Sequence, residues 1–305
     1  MEPSERSRPS RVPDGLGEPV VPIGAPTLGL RASPPLAADG AVWWALAIPP
    51  DLDGPPGVLQ GGLVAGVLLA LAGAIDPFGA PLHHLEVRLE APTPLGAVVH
   101  ARATPLAPGL HEVELFAAGR RTARAEVDLT GADPLSAASD LRALAAAPLP
   151  RPEPSLLYPG CFACGPAAAH PAALHAYPGW VADDAVLLGW VPDPILADPD
   201  RPDRIDAAAV AAVLDCASAW VTMRPVTARG DAAVLLGTLR LRLAGSVEPL
   251  DPVRVAARLD LLDGRRARAR SAVVDTDGRV LALVDAVHVT VRALPDLAPH
   301  GAPGA

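Results

Sequence analysis

The 305-residue chain contains no lysine and no asparagine, and Gln60 is its only glutamine. A composition skewed so far toward Ala, Arg, Gly and Pro reads as the imprint of a GC-rich genome. That bias discounts Ala-rich and Arg-rich runs as functional signals and leaves Asp, His, Cys and Ser as the informative polar residues. Aromatic residues make up 3% of a chain that is 50% hydrophobic, so its cores must be built from Ala, Val and Leu with few large anchors. Acidic residues outnumber basic ones, 34 against 25, for a net charge of −9. This balance argues against a nucleic-acid partner, which needs a basic surface to neutralise phosphates. Three cysteines do not make a disulfide framework in so long a chain. No G-x-S-x-G, phosphate-binding loop or dinucleotide fingerprint is present, which leaves serine hydrolases, nucleotidases and Rossmann enzymes without support. The apolar stretches fall short of the roughly 20 residues that span a bilayer. A soluble, cytoplasmic protein with no membrane contact is therefore the expectation.

What the chain does have is a repeat. Leu30 to Trp44 reads LRASPPLAADGAVWW and Leu174 to Leu188 reads LHAYPGWVADDAVLL, matching without a gap at Leu30/Leu174, Pro34/Pro178, Asp39/Asp183 and Ala41-Val42/Ala185-Val186. Each copy continues in the same order. A strand (Val42 to Ile48; Val186 to Val191) leads through a Pro/Asp-rich loop to one long apolar helix, from about Gly61 to Ile75 and from about Asp206 to Met223. Alternating strands follow, LEVRL from Leu85 beside LRLRL from Leu239, then VVHARA from Val98 beside VRVAARLDLL from Val253. Period-two alternation marks sheets with one wet and one buried face, and one helix per half needs a sheet to wrap it. The fold class read from this is α+β, in tandem. Its expected divisions are a flexible segment 1–25, a first domain 26–130, an Ala/Pro/Ser-rich linker 131–155 with helical pattern around Ser139 to Ala147, a second domain 156–293 and a tail 294–305.

Three local signatures carry a resemblance. Gln60-Gly61-Gly62 precedes the first helix, Val213-Leu214-Asp215-Cys216 lies within the second, and Cys161-Phe162-Ala163-Cys164-Gly165-Pro166 precedes the second strand repeat. Together with the element order, they resemble the hotdog fold of the acyl-CoA thioesterase superfamily, phenylacetate-pathway type. The resemblance implies two tandem hotdog domains, each an antiparallel sheet wrapped around one helix. It also implies a thioester site between them, with a helix N-terminus from one half and an acid from the other. The first half departs from the pattern by carrying Leu69 and Leu71 where an acid could stand. The second departs by opening its helix with Arg204-Ile205-Asp206 in place of Gly-Gly. One complete site, Gly61-Gly62 with Asp215, and one degenerate site is the consequence.

The chemistry of those residues is consistent with hydrolysis. A helix N-terminus offers unpaired N–H groups and partial positive charge to a carbonyl, and glycine admits close approach. Asp215, in the run AAAVAAVLDCASAW, is a carboxylate among small apolar neighbours, where an unpartnered charge costs several kcal/mol. It reads either as general base or nucleophile or as a hydrogen-bonded fastener of the two helices. Gln60 orients substrate or water, or is only a helix cap. Asp206 reads as a cap for the second helix. Cys161, Cys164 and Gly165 form a tight turn with two buried thiols beside the substrate. A zinc reading of the pair would need further ligands from His170, His175 and Cys216, whose spacings are irregular. Arg265, Arg266, Arg268 and Arg270 read as a solvated strand face or as a contact for coenzyme A phosphates. The expected function is hydrolysis of an acyl thioester on a coenzyme A carrier, without metal or other cofactor, with room for a homodimer. The rival is a non-catalytic double hotdog that binds acyl-CoA or another apolar ligand. A hydratase on the same fold would want a paired Asp and His, which neither helix offers.

Overall fold

A computed structural model describes residues 12–76, 83–130, 135–155 and 157–292. Parts of the expected N-terminal segment and linker, and the tail from 294, lie outside the described residues. Ten long strands carry the architecture. The first five are β1 (Ala41–Ala47), β2 (His83–Leu89), β3 (Val98–Ala107), β4 (Leu110–Ala117) and β5 (Arg120–Asp128). The other five are β6 (Ala185–Trp190), β7 (Ala233–Leu243), β8 (Val253–Asp263), β9 (Arg266–Val274) and β10 (Val280–Val291). They belong to one fourteen-stranded sheet, in the spatial order β1-β3-β4-β5-β2-β7-β10-β9-β8-β6, with short strands extending both edges. Read inward from either edge, the order of strands is the same. Every neighbouring pair among the ten is antiparallel, and the join runs through β2 and β7, where Leu85 faces Leu241 and Val87 faces Leu239. All four of these side chains are buried, and the continuous backbone pairing of β2 with β7 leaves no open edge at the centre of the sheet.

Two long helices lie against one another inside this sheet. α1 (Gly61–Ile75) starts where the Gln60 side chain accepts the Leu63 N–H, and ends at Asp76. Another short helix, α2 (Ser139–Ala145), lies between the two sets of strands, and α3 (Ala207–Ala228) starts where Asp206 accepts the Ala208 N–H. Both long helices are apolar around most of their circumference, the pattern of an element covered on every side. α3 extends beyond the expected end at Met223 and carries Pro225 inside it. A proline removes one intrahelical hydrogen bond and crowds the carbonyl four residues back, a disruption placed near the end of the helix, where Thr227 Oγ1 donates to the Met223 and Arg224 carbonyls. At 22 residues, α3 is also longer than the apolar stretches anticipated, and it has the composition of a membrane span, but 78% of its apolar window is buried in protein. It is the core helix of the second half.

The seam between α1 and α3 is closed to backbone distance. A Cβ on Gly62 would stand 2.3 Å from the Ala211 carbonyl oxygen, and one on Gly66 would stand 2.3 Å from Ala208 Cα. The glycines of α1 and the alanines of α3 are what let their axes come so near, and the dispersion attraction of such close packing stands in for the missing aromatics.

The stretch 135–155 is more than a tether. Leu141 and Ala145 of α2 are buried in a small second core with Leu187, Ala256, Ala272 and Leu283 on the outer face of the sheet. Arg254 donates to the Ala145 and Ala147 carbonyls, and Arg270 pairs with Asp140 at 2.9 Å and Asp260 at 2.7 Å. Of the arginine run, Arg266 and Arg268 are exposed on β9. Arg270 is already held by carboxylates, which weakens its case as a phosphate contact.

Replacing Gly66 by Ala is expected to destabilise the fold by about 1–3 kcal/mol, because the new methyl meets backbone that cannot turn aside. Gly73→Ala, in the same helix where a Cβ meets nothing within 4 Å, is expected to stabilise by about 0.5–1 kcal/mol through its helix propensity. Urea unfolding of the two variants checks both signs.

Candidate active site at the helix seam

Asp215 lies in the middle of α3 and faces the first turn of α1. Its Oδ2 accepts the Gly62 N–H at 2.9 Å and the Gln60 side-chain amide at 2.7 Å. The same Gln60 amide also donates to the Ala212 carbonyl at 3.2 Å, while its Oε1 takes the Leu63 N–H at 2.9 Å. Gln60 is therefore cap and orienter at once. Asp215 Oδ1 is buried and has no partner among the described residues. Burial pushes the carboxyl up to about 7, and the Gly62 N–H works against that shift. Gln60, Gly61 and Gly62 of the first half thus meet Asp215 of the second. The glycines serve a purpose beyond the one expected: a Cβ on Gly61 would stand 2.9 Å from Asp215 Oδ2 and 2.6 Å from Leu236 Cδ2. What they admit at close range is α3 itself and its carboxylate.

The cysteine segment requires a correction. Cys161 and Cys164 do not stand as two thiols: Cys164 is bonded to Cys216 on α3, and Cys161 alone is free. The C-x-x-C spacing hides the true partner, which is 52 residues away in sequence and is brought there by folding. The loop is anchored to the first half by the Phe162 N–H, which donates to the Asp53 carbonyl at 2.7 Å, and within its own half by the Tyr158 hydroxyl, which donates to the Val234 carbonyl at 3.1 Å. Gly165 makes the turn possible, since a Cβ there would stand 2.3 Å from the Pro159 carbonyl oxygen. The histidines considered as metal ligands are engaged elsewhere. His170 Nδ1 accepts the Ala172 N–H, and His175 bonds the Tyr177 hydroxyl.

Sequence reading misses three residues behind Asp215. Ser218 Oγ donates to the Asp215 carbonyl at 2.9 Å and lies 3.0 Å from His288 Nε2, and Ser271 Oγ donates to the Leu214 carbonyl at 2.7 Å. Burial pulls His288 down to about 4, so it is a neutral hydrogen-bonding group at ordinary pH. Nothing in the alternating run VLALVDAVHVTV distinguishes it from any other strand residue.

The other end of the helix pair is open. A cavity of about 1000 Å³ lies there, lined by Trp44, Leu69, Leu71, Val210, Arg204 and Asp206 among others. Leu69 stands nine positions after Gln60, as Asp215 stands nine after Asp206. The cavity thus occupies the place, on the second helix's N-terminus, that Asp215 and Gln60 occupy on the first. Burial raises Asp206 to about 6, and Leu69 leaves this end without an acid opposite the helix entry.

No family model and no curated protein matches this chain. Solved structures do match. An acyl-CoA thioesterase II from Mycobacterium marinum superposes with a TM-score of 0.57 at 14% identity, covering 90% of this chain and 98% of its own. A conserved protein of unknown function with a hotdog fold from Alicyclobacillus acidocaldarius gives 0.56 at 14%, over 85% and 96%. The dehydratase domain of the polyketide synthase PpsC from Mycobacterium tuberculosis gives 0.58 at 15%, over 85% and 97%. The chain therefore has the hotdog fold. Neighbours named for hydrolysis and for dehydration match it equally well, so the fold does not select the chemistry.

The raised Asp215 carboxyl has a consequence for stability. In the unfolded chain an aspartate releases its proton near pH 4, whereas folded Asp215 keeps it to about pH 7, so stability falls as pH rises across that window and levels off above it. Asp215→Asn removes this share of the slope. Urea midpoints compared from about pH 4 to about pH 7 are expected to fall less in the variant than in the parent protein. An unchanged slope would show that Asp215 is ionised throughout.

Proposed function

We propose that the chain is two tandem hotdog units, roughly 26–130 and 156–293, and that it hydrolyses an acyl thioester on a coenzyme A-type carrier at Asp215. One observation supports this most: a buried carboxylate from one half, with an unpaired oxygen, stands at the helix N-terminus of the other. A fastener would need only the paired oxygen. On substrate entry the thioester carbonyl takes over the Gly62 N–H, where the positive end of α1 stabilises the developing oxyanion. Asp215, still held by Gln60, turns to a water molecule and accepts a proton as the water oxygen bonds to the carbonyl carbon. The C–S bond then breaks, and the departing thiolate takes that proton, leaving a carboxylic acid and a free thiol. A carboxyl tuned near neutrality suits a base at ordinary pH. Dehydration is the weaker reading, since no histidine is hydrogen-bonded to the Asp215 carboxylate among the described residues; His288 reaches Ser218 instead.

A second reading, binding of an apolar ligand without turnover, is favoured by the cavity. Its lining includes Leu69 and Asp206 but not Gln60, Gly61 or Asp215.

A panel of acyl-CoA substrates assayed with a thiol-detecting reagent separates the two readings. Hydrolysis predicts thiol release that Asp215→Asn lowers by about 100-fold or more. It also predicts a rate that climbs about tenfold per pH unit below the Asp215 value of about 7 and flattens above it. Binding of the same acyl-CoAs with no thiol release would reject the hydrolase and leave the binding protein.

A further inference from the structure

The three cysteines of the chain come together at one point. Their sulfur atoms all lie within 4.8 Å of one another, and all three residues are buried. Cys164 is shared. It is bonded to Cys216, and the free Cys161 Sγ lies 3.6 Å from it, beside the bond. Cys161 and Cys164 belong to the loop that crosses from the second half to Asp53 of the first, and Cys216 follows Asp215 on α3. A free thiol in contact with one sulfur of a disulfide has the constitution needed for thiol–disulfide exchange.

We infer that Cys161, Cys164 and Cys216 form an internal thiol–disulfide exchange site, in which the disulfide moves between the Cys164–Cys216 and Cys161–Cys164 pairings. In the forward step, the Cys161 side chain rotates into line with the Cys164–Cys216 bond, gives up its proton, and its sulfur bonds to Cys164 Sγ. The Cys164–Cys216 bond breaks with its electron pair on Cys216, which takes a proton. One thiol and one disulfide exist before and after, so no oxidant or reductant is consumed. Burial of the three sulfurs bars an external thiol but not a neighbour already in contact. The two pairings differ in consequence. Cys164–Cys216 ties the loop to α3 beside Asp215, whereas Cys161–Cys164 closes the loop on itself and releases α3 with a thiol next to the carboxylate. Burial pushes the Cys161 thiol up to about 11, which makes exchange slow near neutrality and faster as pH rises, since the thiolate is the attacking form. The inference stands on the sulfur positions and does not depend on hydrolysis.

Tryptic mapping of the intact protein tests it directly. Arg151, Arg201 and Arg224 are each followed by proline and resist cleavage, so Cys161 and Cys164 fall in peptide 143–204 and Cys216 in peptide 205–229. The protein is unfolded in acidic guanidinium chloride and its free thiols are alkylated there, before digestion. Freshly purified protein is expected to give the two peptides cross-linked, with one alkyl group on Cys161. After incubation at about pH 9, where more thiol is ionised, a fraction is expected to give peptide 143–204 with an internal disulfide and an alkylated Cys216. Cys161→Ser should hold the cross-link unchanged, and Cys216→Ser should give only the internal disulfide. A parent protein that keeps the cross-link alone through the alkaline incubation overturns the inference. So does one isolated with three free thiols, or with a zinc ion bound by the three sulfurs. The parent protein decides the question even if a variant fails to fold.

Discussion

The contact on which the rest of the structure depends is the meeting of Asp215 with the first turn of α1. A carboxylate inside an apolar helix pair is costly, and its cost is offset by two donors that belong to the other half of the chain, the Gly62 N–H and the Gln60 amide. Those bonds form only if the two helices touch at backbone distance. They touch only because Gly62 and Gly66 on one side face Ala208, Ala211 and Ala212 on the other. The small-residue composition, the seam and the buried acid are thus one constraint seen at three scales. Enlarging a seam residue would separate the helices and strand the carboxylate.

This constraint also accounts for the asymmetry of the helix pair. At one end, polar groups converge and the seam is filled. At the other, Leu69 replaces the acid and Asp206 the amide, and a cavity remains. The loop carrying Cys161 and Cys164 reinforces the filled end. It reaches Asp53 just before α1 and is bonded to α3 at Cys216, so three separate stretches of chain hold the surroundings of one carboxylate.

Much of this was legible in the residues. The internal match from Leu30 and from Leu174, the alternation in LEVRL and LRLRL, and the two apolar helices are local patterns, and period two and period 3.6 report strand and helix without knowledge of their neighbours. Asp215 and Gln60 stood out by rarity, one as an acid in an apolar run and the other as the only glutamine. Other features left no local trace. The C-x-x-C spacing pointed Cys161 toward Cys164, while the bond joins Cys164 to Cys216. Ser218 and His288 are 70 residues apart, and each looks ordinary in its own element.

Taken by itself, the sequence determined the succession of elements, the small-residue character of the core and the existence of one acid with no local reason to be there, because each follows from side-chain chemistry and short-range periodicity. Only the tertiary structure decided that the Gly62 N–H and the Gln60 amide share one oxygen of that acid, and that the glycines admit a helix. It alone showed where the cavity lies and which sulfurs are within reach of one another. Hydrogen bonds and sulfur contacts act over a few ångströms, and the distances between residues far apart in sequence come into being only when the sheet closes around its two helices.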